Sequence, residues 1–229
     1  MPNFNIVKES KYKKTFRNES IKGQFDLDIE SIKEEFNGNI DIENKEWNIG
    51  LIVGSSGSGK STIAKQVFGE NYINELKYGV ESIIDEMPKN KSTQEITKTF
   101  NSVGFATVWS WLKPYHVLSN GEKMRVDLAK AMLSEKELIV FDEFTSVVDR
   151  TIAKTSSSAI QKAIRKTNKK FVAVACHYDI IDWLEPDWIY DTDKQEFFFA
   201  QKNIKDQKLK LKLDNVKQKI GEYFKSIII

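Results

Sequence analysis

Disulfide chemistry has little to work with in these 229 residues, because Cys176 is the only cysteine. One thiol cannot build a disulfide framework within a chain. Cys176 also closes an apolar stretch that reads as a core strand, so the composition fits a reducing cytoplasm. No run approaches the ~20 consecutive apolar residues that a bilayer span needs, and the lysine-bearing N-terminus has no apolar signal core. The expectation is a cytoplasmic protein that does not span a membrane. Neither a low-complexity linker nor an internal repeat is visible. Charge of one sign is lacking too: 35 Lys and Arg against 33 Asp and Glu leave +2, a balance that does not by itself predict nucleic-acid binding. Basic residues are nevertheless concentrated in 8–22 and in 201–229.

The most informative stretch is Gly54-Ser55-Ser56-Gly57-Ser58-Gly59-Lys60-Ser61, which follows the apolar run 49–53 and meets the full phosphate-loop pattern G-x-x-x-x-G-K-[ST]. Glycines let the loop turn its backbone N–H groups toward one point, where phosphate oxygens can replace water. Lys60 adds a point charge for the outer phosphates, and the Ser61 hydroxyl is a ligand for Mg²⁺. Thr62 opens an apolar-periodic stretch, 62–68, whose helix N-terminus would aim its partial positive charge at the same anion. The reading is a nucleoside triphosphate site with a bound magnesium ion.

Two further motifs narrow the choice. Leu118-Ser119-Asn120-Gly121-Glu122 precedes a helical pattern carrying Met124, Leu128, Ala131, Met132 and Leu133, and Ser119 with Glu122 also satisfies the capping box S-x-x-E. The run 138–141 is apolar on every side, as a strand covered on both faces must be. Asp142 and Glu143 close it, and packing cannot explain two adjacent carboxylates there. Asp142 is placed to hold Mg²⁺ through water and Glu143 to act as general base on the attacking water, a role worth roughly 10²–10⁴-fold. Another fully apolar strand, 171–176, ends at His177, at the sheet edge where ligands collect in open α/β folds.

Taken together these motifs resemble those of the ATP-binding-cassette (ABC) ATPases, with L-S-N-G-E standing for the family's L-S-G-G-Q signature and Asp142-Glu143 ending its Walker B strand. The resemblance covers about 25–200. It implies that ATP binds between two copies of the chain, with Ser119, Asn120 and Gly121 of one completing the phosphate loop of the other. It further implies that Asp149 reaches across this homodimer as the D-loop residue and that His177 contacts the γ-phosphate. Asp149 serves equally well as an N-cap for a helix over 150–165.

Three departures stand out. The family's magnesium-contacting glutamine is missing from 80–88, read as a strand end, where Asp85 or Glu86 is the candidate replacement and Asp85 the preferred one. The interval before the signature leaves room for only a reduced helical subdomain, which argues against a transporter subunit. Trp109, Trp111 and Tyr115 within it are either a docking patch for a protein partner or its core. Adenine stacking falls to Phe25, read as lying on an early strand, with Phe16 second.

The expected fold is α/β: a P-loop NTPase of ABC type, with a mostly parallel sheet, an antiparallel N-terminal β subdomain and a hairpin over 188–199. Residues 1–200 form the ATPase domain. Residues 201–229 form a lysine-bearing strand and helix, a possible contact for nucleic acid. The chain looks like a soluble bacterial and phage branch of these ATPases that is joined elsewhere to an acetyltransferase-like domain, for which there is no room here. By analogy with soluble relatives, the expected output is mechanical work on a macromolecule, nucleic acid first, with an ATP-gated regulatory module as the rival.

Overall fold

Why 49–53, 138–141 and 171–175 form adjacent strands is visible in where their side chains go. The computed structural model describes residues 3–27, 31–73 and 76–199. In chain order the elements are β1 (Asn3–Lys11), α1 (Phe16–Gln24), β2 (Ser31–Asn39), β3 (Ile49–Val53), α2 (Lys60–Phe68), β4 (Tyr72–Ile73), α3 (Thr93–Ser102), α4 (Val108–Trp111), α5 (Asn120–Leu133), β5 (Leu138–Phe141), α6 (Arg150–Ile164), β6 (Lys170–Ala175), α7 (Ile180–Leu184), β7 (Trp188–Asp191) and β8 (Glu196–Phe199). Successive strand residues point to opposite faces. Leu51, Val53, Ile139, Phe141, Phe171, Ala173 and Ala175 accordingly join one apolar cluster with α3, α5, α6 and α7. Ile52, Val140, Val172 and Val174 join another with α2, Phe4 and Trp188. Both faces are covered, so these strands can be apolar throughout.

The sheet order is β4-β5-β6-β3-β7-β8. All neighbours are parallel except β7 and β8, which form the expected antiparallel hairpin. A separate antiparallel pair, β1 with β2, runs in register from Asn3 opposite Asn39 to Lys11 opposite Ser31. The α/β architecture with a mostly parallel sheet and a small antiparallel unit is thus as read from the sequence. The parallel topology brings the C-terminal ends of β3, β5 and β6 side by side, and the phosphate loop, Asp142-Glu143 and His177 follow these three ends.

Two readings need correction. Residues 80–88 are not a strand end: apart from a single bridge between Ser82 and Pro114 they are turns, anchored by buried Ile83 and Met87. The strand that lies beside β5 is instead β4, with Tyr72 opposite Val140. Phe25 is not on an early strand either, since it is the C-cap of α1 and is 62% exposed. The lysine-bearing tail, 201–229, lies outside the described residues.

Close packing at β3 yields a stability prediction. A Cβ on Gly50 would lie 2.0 Å from Cζ2 of Trp188, a fully buried ring held edge-on by Trp47 and stacked by Phe68. Gly50→Ala should therefore lower the unfolding free energy by about 1–3 kcal/mol through overpacking, read from the urea midpoint; an unchanged midpoint would mean the tryptophan yields freely.

Candidate functional site

The N-terminus of α2 is missing a partner that the other long helices have. A helix begins with N–H groups that no turn of its own can satisfy. Among the described helices of nine residues or more, α1, α3, α5 and α6 receive a side-chain cap from Thr15, Ser92, Ser119 and Asp149, and α2 receives none. Its N-cap is Gly59, at φ +84°, where a Cβ would also lie 2.3 Å from the Phe36 ring. Lys60, Ser61 and Thr62 thus start a helix whose dipole and open N–H groups suit an anion, and Gly57, also at φ +84°, completes the turn.

The rest of the loop is braced from the β7–β8 turn. Asp193 accepts the Ser55 backbone N–H at 2.8 Å and the Ser55 hydroxyl at 2.7 Å, Tyr178 donates to the same carboxylate at 3.3 Å, and the Ser58 and Thr192 hydroxyls are 2.5 Å apart. Gly54 sits beneath Thr192. Lys60 Nζ donates to Ser55 O at 2.5 Å, and Lys8 of β1 reaches the Thr62 hydroxyl at 2.5 Å. Asp191, beneath the turn, is buried, and that burial pushes its carboxyl upward.

At the end of β5, Asp142 has both oxygens engaged: Oδ1 accepts the Glu143 N–H at 2.8 Å, and Oδ2 accepts the Tyr72 hydroxyl. Burial, reinforced by Asp142, raises the Tyr72 phenol far above its ordinary range, so it stays a donor. Glu143 is exposed at φ +51°, and buried Thr145 follows at φ +67°. Left-handed backbone at non-glycine residues costs of order 1–3 kcal/mol each and clusters where function requires it. Phe144 between them is fully buried and donates its N–H to Val174 O at 2.9 Å, which locks the turn onto β6. His177 lies exposed just past β6.

Among the described residues no group of three or more His, Cys, Asp or Glu gathers to hold a metal. A set of Ser61, Asp142 and phosphate oxygens fits Mg²⁺, which keeps several waters and takes one or two carboxylates plus phosphates. Asp85, the candidate replacement for the glutamine, makes no described hydrogen bond to Ser61 or Asp142. It is exposed and accepts the Ser82 hydroxyl within its own turn, while Glu86 accepts the Gly79 N–H. No described hydrogen bond of Glu86 reaches those two residues either.

Around the signature, Ser119 and Glu122 form both halves of the capping box, and Ser110 donates to Glu122 Oε1 at 2.6 Å, the main reason the Glu122 carboxyl lies below its usual range. Of the three aromatics before it, Trp111 is buried, with Nε1 donating to Phe105 O at 2.9 Å. Tyr115 stacks on Tyr78 at 3.9 Å, and both hydroxyls donate to Asp127, whose burial raises its carboxyl. Trp109 alone points outward, 79% exposed. Sequence reasoning missed Tyr72, Phe36, Thr192 and Asp193, none of which carries a motif.

No family model matches the chain. Among curated proteins it is similar to the energy-coupling factor transporter ATP-binding protein EcfA1 of Leuconostoc mesenteroides, 23% identical over 198 residues, 69% of this chain and 70% of that protein. It is also similar to the methionine import ATP-binding protein MetN of Clostridium tetani, 28% identical over 182 residues, 61% of this chain and only 56% of that one. The fold matches the dimeric post-hydrolysis structure of the ATP-binding cassette MJ0796 with ADP and Pi, at TM-score 0.59 and 15% identity over 82% of this chain and 92% of that one. In sequence and in fold the chain's likeness is to ABC-type ATPases, and ATP with Mg²⁺ are the ligands that this likeness implies.

Asp149 gives a prediction that separates its two roles. Its Oδ1 accepts the N–H groups of Thr151 at 2.8 Å and Ile152 at 3.0 Å. Asp149→Ala should lose about 0.5–2 kcal/mol of stability and Asp149→Asn only a few tenths, since asparagine caps as well. A urea series decides it; equal losses in both variants would exclude capping as the role of the side chain.

Proposed function

We propose that this chain closes head to tail on a second copy of itself around Mg-ATP and that hydrolysis reopens the pair, the ATP-driven subunit of a transport assembly. The observation that carries the nucleotide reading is the uncapped N-terminus of α2 beside Asp142, Glu143 and His177 on neighbouring strand ends. In one subunit Gly54, Ser55, Ser56, Gly57, Ser58, Gly59, Lys60 and Thr62 cradle the phosphates. Ser61 and Asp142 hold the metal, which when bound neutralises charge on the outer phosphates. Glu143 takes a proton from the attacking water, and His177 keeps that water in line with the γ-phosphoryl group. Phe25 remains the aromatic proposed for adenine, and its exposure leaves the ring free to stack.

Ser119, Asn120, Gly121 and Asp149 act on the nucleotide of the partner. Exposure of the Ser119 helix start supports this, as does the dimeric form in which the MJ0796 cassette was solved. The transport assignment rests on the names of the relatives, which are transporter and import ATP-binding proteins. It displaces the expected work on nucleic acid, which those names do not support and whose lysine-bearing tail lies outside the described residues. Among the described residues no helix is long and apolar enough to cross a membrane, so in this reading membrane passage belongs to another component. A surface for it is available. Exposed Val80, Trp109 and Leu112 lie on the two segments that the Ser82–Pro114 bridge joins, where Ile84 N–H donates to Trp111 O at 3.1 Å.

Glu143→Gln should abolish turnover, keep ATP affinity, and accumulate a dimer in light scattering when ATP is added. Near-normal turnover would remove Glu143 as the base. The composite site has its own test: Lys60→Ala and Ser119→Arg proteins should each be inactive, and mixing them under conditions of subunit exchange should restore one working site per heterodimer. A mixture as dead as its parts counts against head-to-tail closure.

A further inference from the structure

Tyr72 occupies a position that packing alone does not account for. Its ring is part of the apolar cluster with Phe68, Ile63 and Val140, and only 8% of the residue is exposed. A phenylalanine would fill that space. The hydroxyl instead leaves the cluster at the C-terminal edge of the sheet and donates to Asp142 Oδ2. Lys65 of α2 holds the ring from the other side, its Nζ 5.0 Å from the ring centroid. Lys65 belongs to the helix whose first turn carries Ser61, and Asp142 follows β5, so one tyrosine on the edge strand touches both elements that supply the metal ligands of the Mg-ATP reading.

The site opens onto a cavity of about 650 Å³ lined by Tyr72, Asp142, Glu143, Lys65 and Asn120, among others. A carboxylate facing such a cavity can rotate unless its oxygens are held. Asp142 has Oδ1 held by the Glu143 N–H and Oδ2 by Tyr72, which fixes its plane and leaves a lone pair on each oxygen for the metal's water. Hydrogen bonds to a metal ligand of this kind typically change metal affinity 10–100-fold when removed.

We propose that Tyr72 is a positioning residue of the magnesium site, orienting Asp142 for the metal through its hydroxyl. The proposal rests on the Mg-ATP reading above. Its test uses binding, not turnover: a fluorescent non-hydrolysable ATP analogue titrated onto wild type and Tyr72→Phe, first in EDTA and then at rising Mg²⁺, with Mn²⁺ followed in parallel by electron paramagnetic resonance. Tyr72→Phe keeps the ring and its packing. The expected result is unchanged metal-free binding and a metal requirement raised at least about tenfold. An unchanged metal requirement overturns the proposal, and so does a parallel loss of metal-free binding, which would make the hydroxyl a general support of the fold. Should the variant unfold, a Tyr72→Trp protein, which retains a donor on a large ring, must recover metal-dependent binding; its failure while folded also overturns the proposal. If wild type shows no metal-dependent binding at all, the Mg-ATP reading falls and takes the proposal with it.

Discussion

An unfinished helix start organises this molecule. The first N–H groups of α2 are satisfied neither by a side chain nor, for lack of a preceding turn, by the helix itself. Leaving such groups bare costs free energy when water is excluded, so the loop is stable in this form because solvent, or an anion in its place, can reach it. Everything around the loop keeps it from collapsing onto a cap. Asp193 grips Ser55 from the β7–β8 turn, Thr192 fills the space against Gly54, and the Phe36 ring lies where a side chain at residue 59 would be. Lys60 meanwhile rests on Ser55 O, an internal acceptor that a phosphate oxygen can displace. The helices without phosphate-loop duty show the contrast, since Ser92, Ser119 and Asp149 close theirs within the chain.

The legible parts were those in which a local pattern carries its own physical cause. Strands β3, β5 and β6 are buried on both faces, so apart from Lys170 at the start of β6 they carry no charged or polar side chain and stand out without any partner. The cap at Ser119 is spelled by residues three apart. The phosphate loop is one continuous segment. By contrast, α1 buries no residue at all and so leaves no apolar stripe to read, which is why Phe25 was assigned to a strand. Residues 80–88 have the apolar content of a strand, yet Ile83 and Met87 are anchors four apart beneath a series of turns, and the neighbouring carboxylates are spent on Ser82 and Gly79. Tyr72 sits in a strand of two residues, too short for any period, and Asp193 meets Ser55 across 138 positions of chain. Such contacts depend on topology, which no window of sequence contains.

The short stretch between phosphate loop and signature is where the sequence predicts a reduced helical layer, a reduction that by itself argues against transport. Its structure weakens that argument. α3 and α4 are small, but they enclose a dense aromatic core of Phe100, Phe105 and Trp111, continuous with the cluster that reaches α5 and β5. The layer is therefore rigidly joined to the signature helix and, through β5, to Glu143. Asp127 on α5 adds a second tie, since its half-buried carboxylate takes both the Tyr78 and Tyr115 hydroxyls and so clamps the segment before α3 to the segment before the signature. A displacement of the outward face at Trp109 would pass through Trp111 and Ser110 to Glu122, the residue that shapes the Ser119 cap. Small size would therefore leave the proposed partner a route to the nucleotide through a few packed side chains.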